Sequence, residues 1–501
     1  MRHSVSEKTF IISSVLIVFL AYFFTTSESV LTVHDDILTY AEVRHGDLLK
    51  TVTDYAENGR INHIPMTVLL WIPYYFNSVT AVRILSAMAV AFDMCGLFFL
   101  VKNNSTKNTA CLVCLLFISF ACISNQHSLF TAYTFAHQFP IGVILFSLDL
   151  FIKYLKIGKK SYRIKSAVLF FVACFMYESV TVFLLMFIGL SLYFSKGKIF
   201  RERFVILIKD LFFHGTLLFV YLIIYCAWRY FHPSYYDGTR FYFGNILLSL
   251  TALVKFSVGT FPMLPAVAMI LKKYITFSEF LKSISVWNFT APVISGMAFY
   301  RVFPKIKISV NTSEAVVFCL AGMLFPNVLI SLTEKYTDWA LQNAYSYVPS
   351  FYSYFFMIML AVVVLIKIFR NPTKRVMIIL SLAVSAITLV CSFSNTAWNT
   401  YFNKNLEKYK AFEEAVSSDF FDDVTDGTVI YIPDFSGIHN DMELTAYYAE
   451  VFIGADVTFT NEKSQIDFSK PVVAMYYDSG KKKIFIEKIN SQGGNSNTFN
   501  N

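Results

Sequence analysis

The chain has 501 residues, of which 56% are hydrophobic, 18% aromatic and 15% charged, and its formal net charge is +8. This composition is far too apolar for a water-soluble protein with a single core, and it excludes that class. The positive charge lies in short clusters between apolar blocks. It therefore indicates how the chain is oriented in a membrane and gives no reason to expect a nucleic-acid partner.

The apolar blocks are about 18 to 25 residues long, which predicts spanning helices rather than the short alternating strands of a barrel. We therefore predict an all-α polytopic membrane bundle with about eleven spans. The spans are expected near residues 9–27, 79–101, 109–124, 139–156, 166–177, 179–195, 209–231, 285–303, 313–333, 351–370 and 374–394. The lysine and arginine clusters and the odd number of spans predict a cytoplasmic N-terminus and an outer location for everything after residue 397.

Two regions do not fit a simple span. The block 166–194 has basic clusters at both ends, yet one straight helix of that length would be roughly 43 Å long, too long for a core of about 30 Å. A pair of short helices turning at Met176-Tyr177-Glu178 fits better and places Glu178 near the outer face. The region 244–284 is interrupted by prolines and lysines, and we expect re-entrant or interfacial helices on the outer side there.

The first outer loop, residues 27–64, opens with the adjacent carboxylates Asp35 and Asp36. A carboxylate just beyond a spanning helix can act as a general base or a metal ligand for a lipid head group. The alternative is an ordinary cap for a helix that starts near Ile37. Further along, apolar residues at helical spacing predict a short amphipathic helix from Leu48, with Asp47 as its N-cap and Asn58-Gly59 as its stop.

Cations on the outer side are candidate phosphate ligands, because guanidinium and ammonium groups bind phosphate oxygens. Arg44 and Arg60 lie in the first outer loop, although they could instead snorkel or pair with Asp47 or Glu57. His34 and His63 of the same loop are candidate supporting residues. Three more candidate phosphate ligands follow the seventh span: Arg229, Arg240 and Lys255.

Glu178, at the turn of the short helix pair, is a candidate catalytic carboxylate, since an acid among apolar residues is costly unless it has a purpose. It could instead pair with an arginine of a neighbouring helix. Tyr177 precedes it. The outer segment Glu334–Pro349 contains Trp339 and several tyrosines, which either form an interfacial belt or line an acceptor groove. His127 and His137 flank the third and fourth spans.

The composition changes after Trp398. Residues 398–490 are predicted to form a small extracytoplasmic α/β domain that follows the membrane domain, residues 1–397. We expect helices near 408–417 and 441–451, a strand at 428–432, and a hairpin of strands 471–477 and 483–489. The tail, residues 491–501, is rich in Asn, Gly and Ser and is predicted to be disordered.

His34-Asp35-Asp36 and Gly59-Arg60 in a long first outer loop, with Tyr177-Glu178 in a short hairpin, resemble the GT-C superfamily of integral-membrane glycosyltransferases. About eleven spans and a small outer C-terminal domain extend that resemblance over roughly residues 9–400. Within the superfamily the chain looks most like the bacterial type II O-antigen glucosyltransferases.

This resemblance implies an enzyme of the bacterial inner membrane that moves a sugar from a polyprenyl-phosphate donor to a glycan or lipid acceptor of the cell envelope, such as O-antigen or lipopolysaccharide. It implies that Asp35 or Asp36 is the base or holds a divalent cation, Mg²⁺ or Mn²⁺. Membrane lipid is the surrounding partner. The alternative is a lipid-linked glycan polymerase or a flippase; a flippase should have charged residues lining several spans.

Overall fold

A computed structural model describes residues 7–46, 48–125, 127–234, 238, 240–241, 244–264, 275–306, 311–342, 346–421, 424–433 and 453–489. In chain order the helices are α1 (Glu7–Thr25), α2 (His34–His45), α3 (Leu48–Glu57), α4 (His63–Tyr75), α5 (Val79–Asn104), α6 (Lys107–Ser119), α7 (Phe139–Ile157), α8 (Lys160–Met176), α9 (Leu184–Phe194), α10 (Phe200–Phe231), α11 (Ile246–Val258), α12 (Phe277–Ser283), α13 (Trp287–Val302), α14 (Thr312–Leu324), α15 (Val328–Ser331), α16 (Glu334–Leu341), α17 (Val348–Ile368) and α18 (Lys374–Val416).

Every predicted span overlaps a helix or a pair of consecutive helices. Within the described ranges, five helical stretches are long and apolar enough to cross a membrane, so the chain is a multi-pass membrane protein. These are Val79–Asn104, Phe200–Phe231, Thr312–Ser331, Val348–Ile368 and Lys374–Val416. The count of eleven remains a prediction. Helix α6, for example, has 13 residues and is about 20 Å long, shorter than a hydrocarbon core of about 30 Å.

The predicted pair of short helices at 166–194 is confirmed. Helix α8 ends at Met176, Tyr177 is extended, and a 3-10 turn, Glu178–Phe183, leads into α9. The region 244–284 also contains only short helices in its described part, α11 and α12, as expected for elements that do not span a bilayer.

The first outer loop is more helical than its sequence predicts. The amphipathic helix is present as α3, and it ends before Asn58-Gly59 as expected; Asp47, its predicted cap, lies outside the described residues. The loop also contains α2, which begins three residues before the Ile37 start of the capping alternative and has Val33, not an aspartate, as its N-cap. Helix α4, which begins at the end of the loop, was not predicted. Asp35 and Asp36 occupy the first turn of α2, where the positive end of the helix dipole stabilises negatively charged side chains.

The connection 120–138 joins α6 to α7, and its described residues, 120–125 and 127–138, contain no regular helix. It contacts the end of α1, where the Tyr22 hydroxyl donates to the Phe130 carbonyl at 3.1 Å. Arg83 of α5 holds these parts together from a position that is only 1% exposed. Its guanidinium donates to the carbonyls of Ser29 (3.3 Å) and Phe130 (3.4 Å) and to the hydroxyl of Thr26 (2.7 Å). Because a buried guanidinium is costly unless its donors are used, this network fixes the connection against α1.

The boundary predicted at residue 397 is not marked by a break in the backbone. Helix α18 runs without interruption for 43 residues, about 65 Å, so the helix predicted at 408–417 is its C-terminal part. The strands are β1 (Val429–Tyr431), β2 (Thr458–Thr460), β3 (Val472–Asp478) and β4 (Lys483–Ile489). Strand β2 was not predicted, and the helix expected at 441–451 and the tail 491–501 lie outside the described residues.

The sheet has the order β2-β1-β3-β4. Strand β1 pairs in parallel with β2 and β3, and β3 pairs with β4 as an antiparallel hairpin. The hairpin turn is stabilised by Asp478, whose carboxylate accepts from the N–H groups of Gly480 (2.8 Å) and Lys481 (3.1 Å).

The sheet and α18 form one hydrophobic core with α2. Ile37, Phe412 and Ile430 are all fully buried and belong to this shared cluster. The polar side of the contact is an ion pair between Arg44 and Glu413 (3.6 Å), and Glu413 also accepts a hydrogen bond from Tyr40 (3.3 Å). The C-terminal domain therefore supports the helix on which the two adjacent carboxylates lie.

Candidate functional site

A cavity of about 440 Å³ lies next to α2, at the end of the helix bundle. Five of the side chains predicted from the sequence line it together: Asp35, Arg60, Tyr177, Glu178 and Trp339. They come from α2, the segment after α3, the α8–α9 turn and α16, which are far apart in the sequence. Other lining residues are His127, Tyr133, His137, Tyr221, Tyr225, Lys335, Tyr336 and Tyr347.

The two adjacent carboxylates have different surroundings. Asp35 lines the cavity, and its Oδ2 accepts a hydrogen bond from the Tyr133 hydroxyl at 3.0 Å. Asp36 is fully buried, and both of its oxygens accept from the Tyr133 backbone N–H, at 3.0 and 3.3 Å. Successive residues of a helix point about 100° apart, so the sequence pair becomes one carboxylate at the cavity and one behind it.

Burial raises the pKa of Asp36 to about 7, because the charged form loses its hydration, and the nearby charge of Asp35 adds to the rise. The Tyr133 N–H opposes this effect by stabilising the carboxylate. At neutral pH the Asp36 side chain therefore exists in both protonation states.

Arg60 is brought to the cavity by the end of α3. Gly59 adopts a left-handed backbone (φ +69°), and a side chain there would collide with the backbone of His232, so the position requires glycine. The Trp228 indole N–H donates to the Ala56 carbonyl at 2.8 Å, which docks the same turn on α10. The guanidinium of Arg60 lies 5.3 Å from the centre of the Tyr55 ring.

Glu178 lies beside Asn62, a buried residue that the sequence does not single out. The Asn62 side-chain amide donates to Glu178 Oε2 at 3.3 Å and to the Tyr221 hydroxyl at 2.7 Å. The α8–α9 turn, the first outer loop and α10 are joined at this point. Among the described residues, the Glu178 carboxylate therefore has an amide partner and forms no ion pair with an arginine of a neighbouring helix, which was the alternative.

One wall of the cavity is aromatic and carries a second cation. Lys335 lies over the rings of Trp339 (5.2 Å) and Tyr336 (6.0 Å). Tyr336 donates its hydroxyl proton to the Tyr347 oxygen at 3.2 Å. Sequence reasoning noticed the aromatic residues of this segment but missed Lys335 as a candidate phosphate ligand; the signal was a lysine among aromatic residues on an outer loop.

His137 is a further cavity residue with no assigned role from the sequence. Its ring is 8% exposed and packs edge-on against Tyr133 and Tyr177 at centroid distances of 5.0 and 5.3 Å. Burial lowers its pKa to about 4, so the ring is neutral at physiological pH. In the described part of the chain its Nδ1 atom has no hydrogen-bond partner.

Four predicted phosphate ligands do not line this cavity. Arg44 pairs with Glu413 at the C-terminal domain, and Lys255 donates to the Ala340 carbonyl at 2.7 Å. Arg229 lies behind Gly59 with its guanidinium 6.0 Å from the Tyr225 ring centre, and Arg240 lies outside the cavity lining. The side chains of His34 and His63, the other candidates in the first outer loop, are outside the described part of the structure.

A metal site made by Asp35 and Asp36 together does not fit this geometry, because Asp36 is turned away from the cavity and holds the Tyr133 N–H. Among the described residues, no three His, Cys, Asp or Glu side chains converge as metal ligands would. The positive charges that the cavity does contain are Arg60 and Lys335.

No protein-family model matches the chain, and no curated protein matches it. Among solved structures the chain is similar to ArnT from Cupriavidus metallidurans in the apo state, with 11% identity and a TM-score of 0.40, over 95% of this chain and 94% of that one. The same enzyme bound to undecaprenyl phosphate gives 11% identity and a TM-score of 0.40, over 94% and 93% of the two chains. An apo oligosaccharyltransferase from Archaeoglobus fulgidus gives 10% identity and a TM-score of 0.43, over 93% of this chain and 66% of that one.

The raised pKa of Asp36 predicts how stability changes with pH. Between about pH 4 and 7 the folded protein holds a proton on Asp36 that the unfolded chain has released, so this residue makes stability fall as the pH rises through that window. A rise from 3.8 to about 7 corresponds to roughly 4 kcal/mol. Asp36→Asn should therefore raise the thermal denaturation midpoint in detergent at pH 8 and change it little at pH 4.

The exposed Asp54 of α3 provides the control. Asp54→Asn should follow the wild-type pH dependence throughout. An Asp36→Asn protein that is less stable than wild type at pH 8 would show that the folded state favours the charged form of Asp36, contrary to this expectation.

Proposed function

We propose that the protein is a glycosyltransferase that moves a sugar from a polyprenyl-phosphate donor to a hydroxyl group of a cell-envelope glycan or lipid. The observation that carries the proposal is that one cavity, at the end of a membrane-helix bundle, contains two partly buried carboxylates, Asp35 and Glu178, together with two cations and an aromatic wall. These are the groups that transfer of a sugar from a phosphate to a hydroxyl requires.

In the proposed reaction the oxygen of the acceptor hydroxyl bonds to the anomeric carbon of the sugar, and Asp35 accepts the proton of that hydroxyl. The bond from that carbon to the phosphate oxygen breaks, and the electron pair leaves with the phosphate. Arg60 and Lys335 stabilise the charge that develops there, Arg60 with a planar fork of donors and Lys335 as a compact charge. The faces of Trp339 and Tyr336 are suited to contact a sugar ring.

A lipid-borne donor fits the position of the cavity. Leu222 and Cys226 of α10 belong to its lining and are also exposed on the outside of the bundle. Helix α10 is apolar, and only 11% of its most hydrophobic window is buried, so its outer surface faces lipid. A polyprenyl chain in the bilayer could therefore lie along α10 while its phosphate reaches Arg60.

A flippase is less consistent with the placement of charge inside the membrane helices. Asp149 forms an ion pair with Lys153 at 2.7 Å and accepts from Asn103 at 2.7 Å. Asp93 is fully buried next to Gly142. Neither belongs to the cavity that contains Asp35, so these acids do not extend it into a charged path through the bundle.

We also propose the orientation that the basic clusters predict, with the N-terminus in the cytoplasm and the C-terminal domain outside, in a bacterial inner membrane. The cavity then faces the outer side together with α2. Reporter fusions after Lys160 and after Ile489 would test this placement, and a cytoplasmic reporter signal at Ile489 would contradict it. The O-antigen or lipopolysaccharide acceptor belongs to the same proposal.

The base is tested by replacing each carboxylate separately. Asp35→Asn keeps the side-chain shape but loses the basic oxygen, so sugar transfer should fall by about 10²- to 10⁴-fold. Asp36→Asn can still accept from the Tyr133 N–H and should retain much more activity than Asp35→Asn. The measurement is transfer from a defined polyprenyl-phosphate sugar in proteoliposomes, after size-exclusion chromatography shows that each variant is folded. Wild-type turnover in Asp35→Asn would contradict the assignment.

The cations are tested by their effect on donor binding. Arg60→Lys keeps the charge and loses the two-pronged geometry, whereas Arg60→Ala loses both, so we expect a graded fall in turnover of about tenfold for each step. Lys335→Ala should also raise the KM for the donor more than that for the acceptor. Lys50→Ala, on the exposed face of α3, is the matched control. If Arg60→Ala and Lys50→Ala behave alike, Arg60 does not bind the phosphate.

A divalent cation, Mg²⁺ or Mn²⁺, remains a proposal from the sequence resemblance, and Asp35 with the donor phosphate is where it would bind. If Arg60 and Lys335 supply the positive charge, turnover after treatment with EDTA should stay within about twofold of its starting value. Loss of turnover that is restored by added Mg²⁺ or Mn²⁺ would instead assign a cation to Asp35.

A further inference from the structure

Tyr133 contacts both adjacent carboxylates with different atoms. Its backbone N–H donates to Asp36, and its side-chain hydroxyl donates to Asp35 Oδ2 at 3.0 Å. It is 4% exposed, lies in the connection 120–138, and comes from a part of the sequence about 98 residues away from Asp35. No pattern in the sequence pointed to it.

The hydrogen bonds around the Tyr133 hydroxyl have a defined direction. His127 Nδ1 lies 3.0 Å from the same hydroxyl oxygen. A phenol has one proton, and here that proton is donated to Asp35, so His127 must donate from Nδ1 to the Tyr133 oxygen. His127, Tyr133 and Asp35 thus form a chain of two hydrogen bonds that point towards the carboxylate, an arrangement in which each bond strengthens the next.

The backbone of Tyr133 is held in an unfavourable conformation. Its φ is +49°, and that of Phe135 is +75°, both in the left-handed region that aromatic residues rarely adopt. The fully buried Gln138 holds this segment: its Oε1 accepts from the Phe135 N–H at 3.0 Å, and its Nε2 donates to Ser86 at 3.1 Å. Strain that is retained by buried polar contacts commonly occurs at functional sites.

We propose that Tyr133 is a positioning residue for the transfer reaction: it fixes the orientation of the Asp35 carboxylate through its hydroxyl, with His127 as the donor that aligns that hydroxyl. The proposal rests on the role of Asp35 in the proposed function. Asp36 completes the arrangement, because its bond to the Tyr133 N–H holds the left-handed backbone against α2. Tyr133 therefore acts through Asp35 and is not itself the base.

Tyr133→Phe is the direct test, since it removes the hydroxyl and keeps both the ring and the N–H bonded to Asp36. We expect kcat to fall by about 100-fold, as for a misplaced reacting group, with the KM for the donor and the thermal denaturation midpoint unchanged. Tyr354→Phe is the matched control, because Tyr354 is also buried and its hydroxyl donates to the Phe117 carbonyl at 2.6 Å, outside the cavity. Its kcat should stay close to wild type.

The double variant Asp35→Asn with Tyr133→Phe separates positioning from an independent role. It should be no slower than Asp35→Asn alone, because Tyr133 has nothing to position once the base is gone. Multiplied losses in the double variant would overturn the proposal, as would equal kcat in Tyr133→Phe and Tyr354→Phe. If Asp35→Asn keeps wild-type turnover, the proposed function itself fails, and the two failures are thereby distinguished.

His127 provides a second test that leaves Tyr133 intact, for the case that Tyr133→Phe does not fold. His127→Phe removes the donor, whereas His127→Asn places an amide N–H close to the former Nδ1. We expect kcat about tenfold lower in His127→Phe and substantially restored in His127→Asn, with the donor KM unchanged in both. Equal kcat in the two variants would show that the hydrogen bond to Tyr133 does not orient Asp35.

Discussion

The hydrogen bonds from the Tyr133 N–H to the buried Asp36 carboxylate are the constraint on which the candidate site depends. A carboxyl group with no exposure to water is unfavourable unless donors reach it. Its bond to a backbone N–H therefore requires the first turn of α2 and the connection 120–138 to meet at one place. Asp35, the preceding residue of α2, then faces the cavity, where its carboxylate accepts a hydrogen bond from the Tyr133 hydroxyl.

Each side of that contact is anchored elsewhere in the molecule. The connection 120–138 is fixed by the buried side chains of Arg83 and Gln138. Helix α2 is fixed by the C-terminal domain, through the apolar cluster around Ile37 and Phe412. The small α/β domain therefore has a structural role next to the membrane-helix bundle. A 12-residue helix is marginal on its own, and the domain provides the apolar surface on which α2 is held.

The sequence predicts best what depends on local pattern. Apolar runs located the apolar helices, helical spacing located α3, and an apolar block too long for one span located the turn at Glu178. The sequence could not show that Asp35 and Asp36 have different surroundings, because that difference depends on Tyr133, nearly a hundred residues away. Asn62 was missed for the same reason, since its partners Glu178 and Tyr221 come from other elements. Lys335 had a local signal, because its aromatic partners Tyr336 and Trp339 lie in the same helix. Helix α2 was considered only as the capping alternative near Ile37, because its apolar residues show no helical stripe.

The division between the two carboxylates also has an electrostatic consequence. Two adjacent negative charges in a low-dielectric setting repel each other strongly, and both cannot be fully charged at little cost. With the pKa of Asp36 near 7, part of the population carries a proton on Asp36 at neutral pH, which lessens the repulsion felt by Asp35. The protonated Asp36 still offers its carbonyl oxygen to the Tyr133 N–H. Asp36 can therefore hold the Tyr133 backbone in place while Asp35 remains charged.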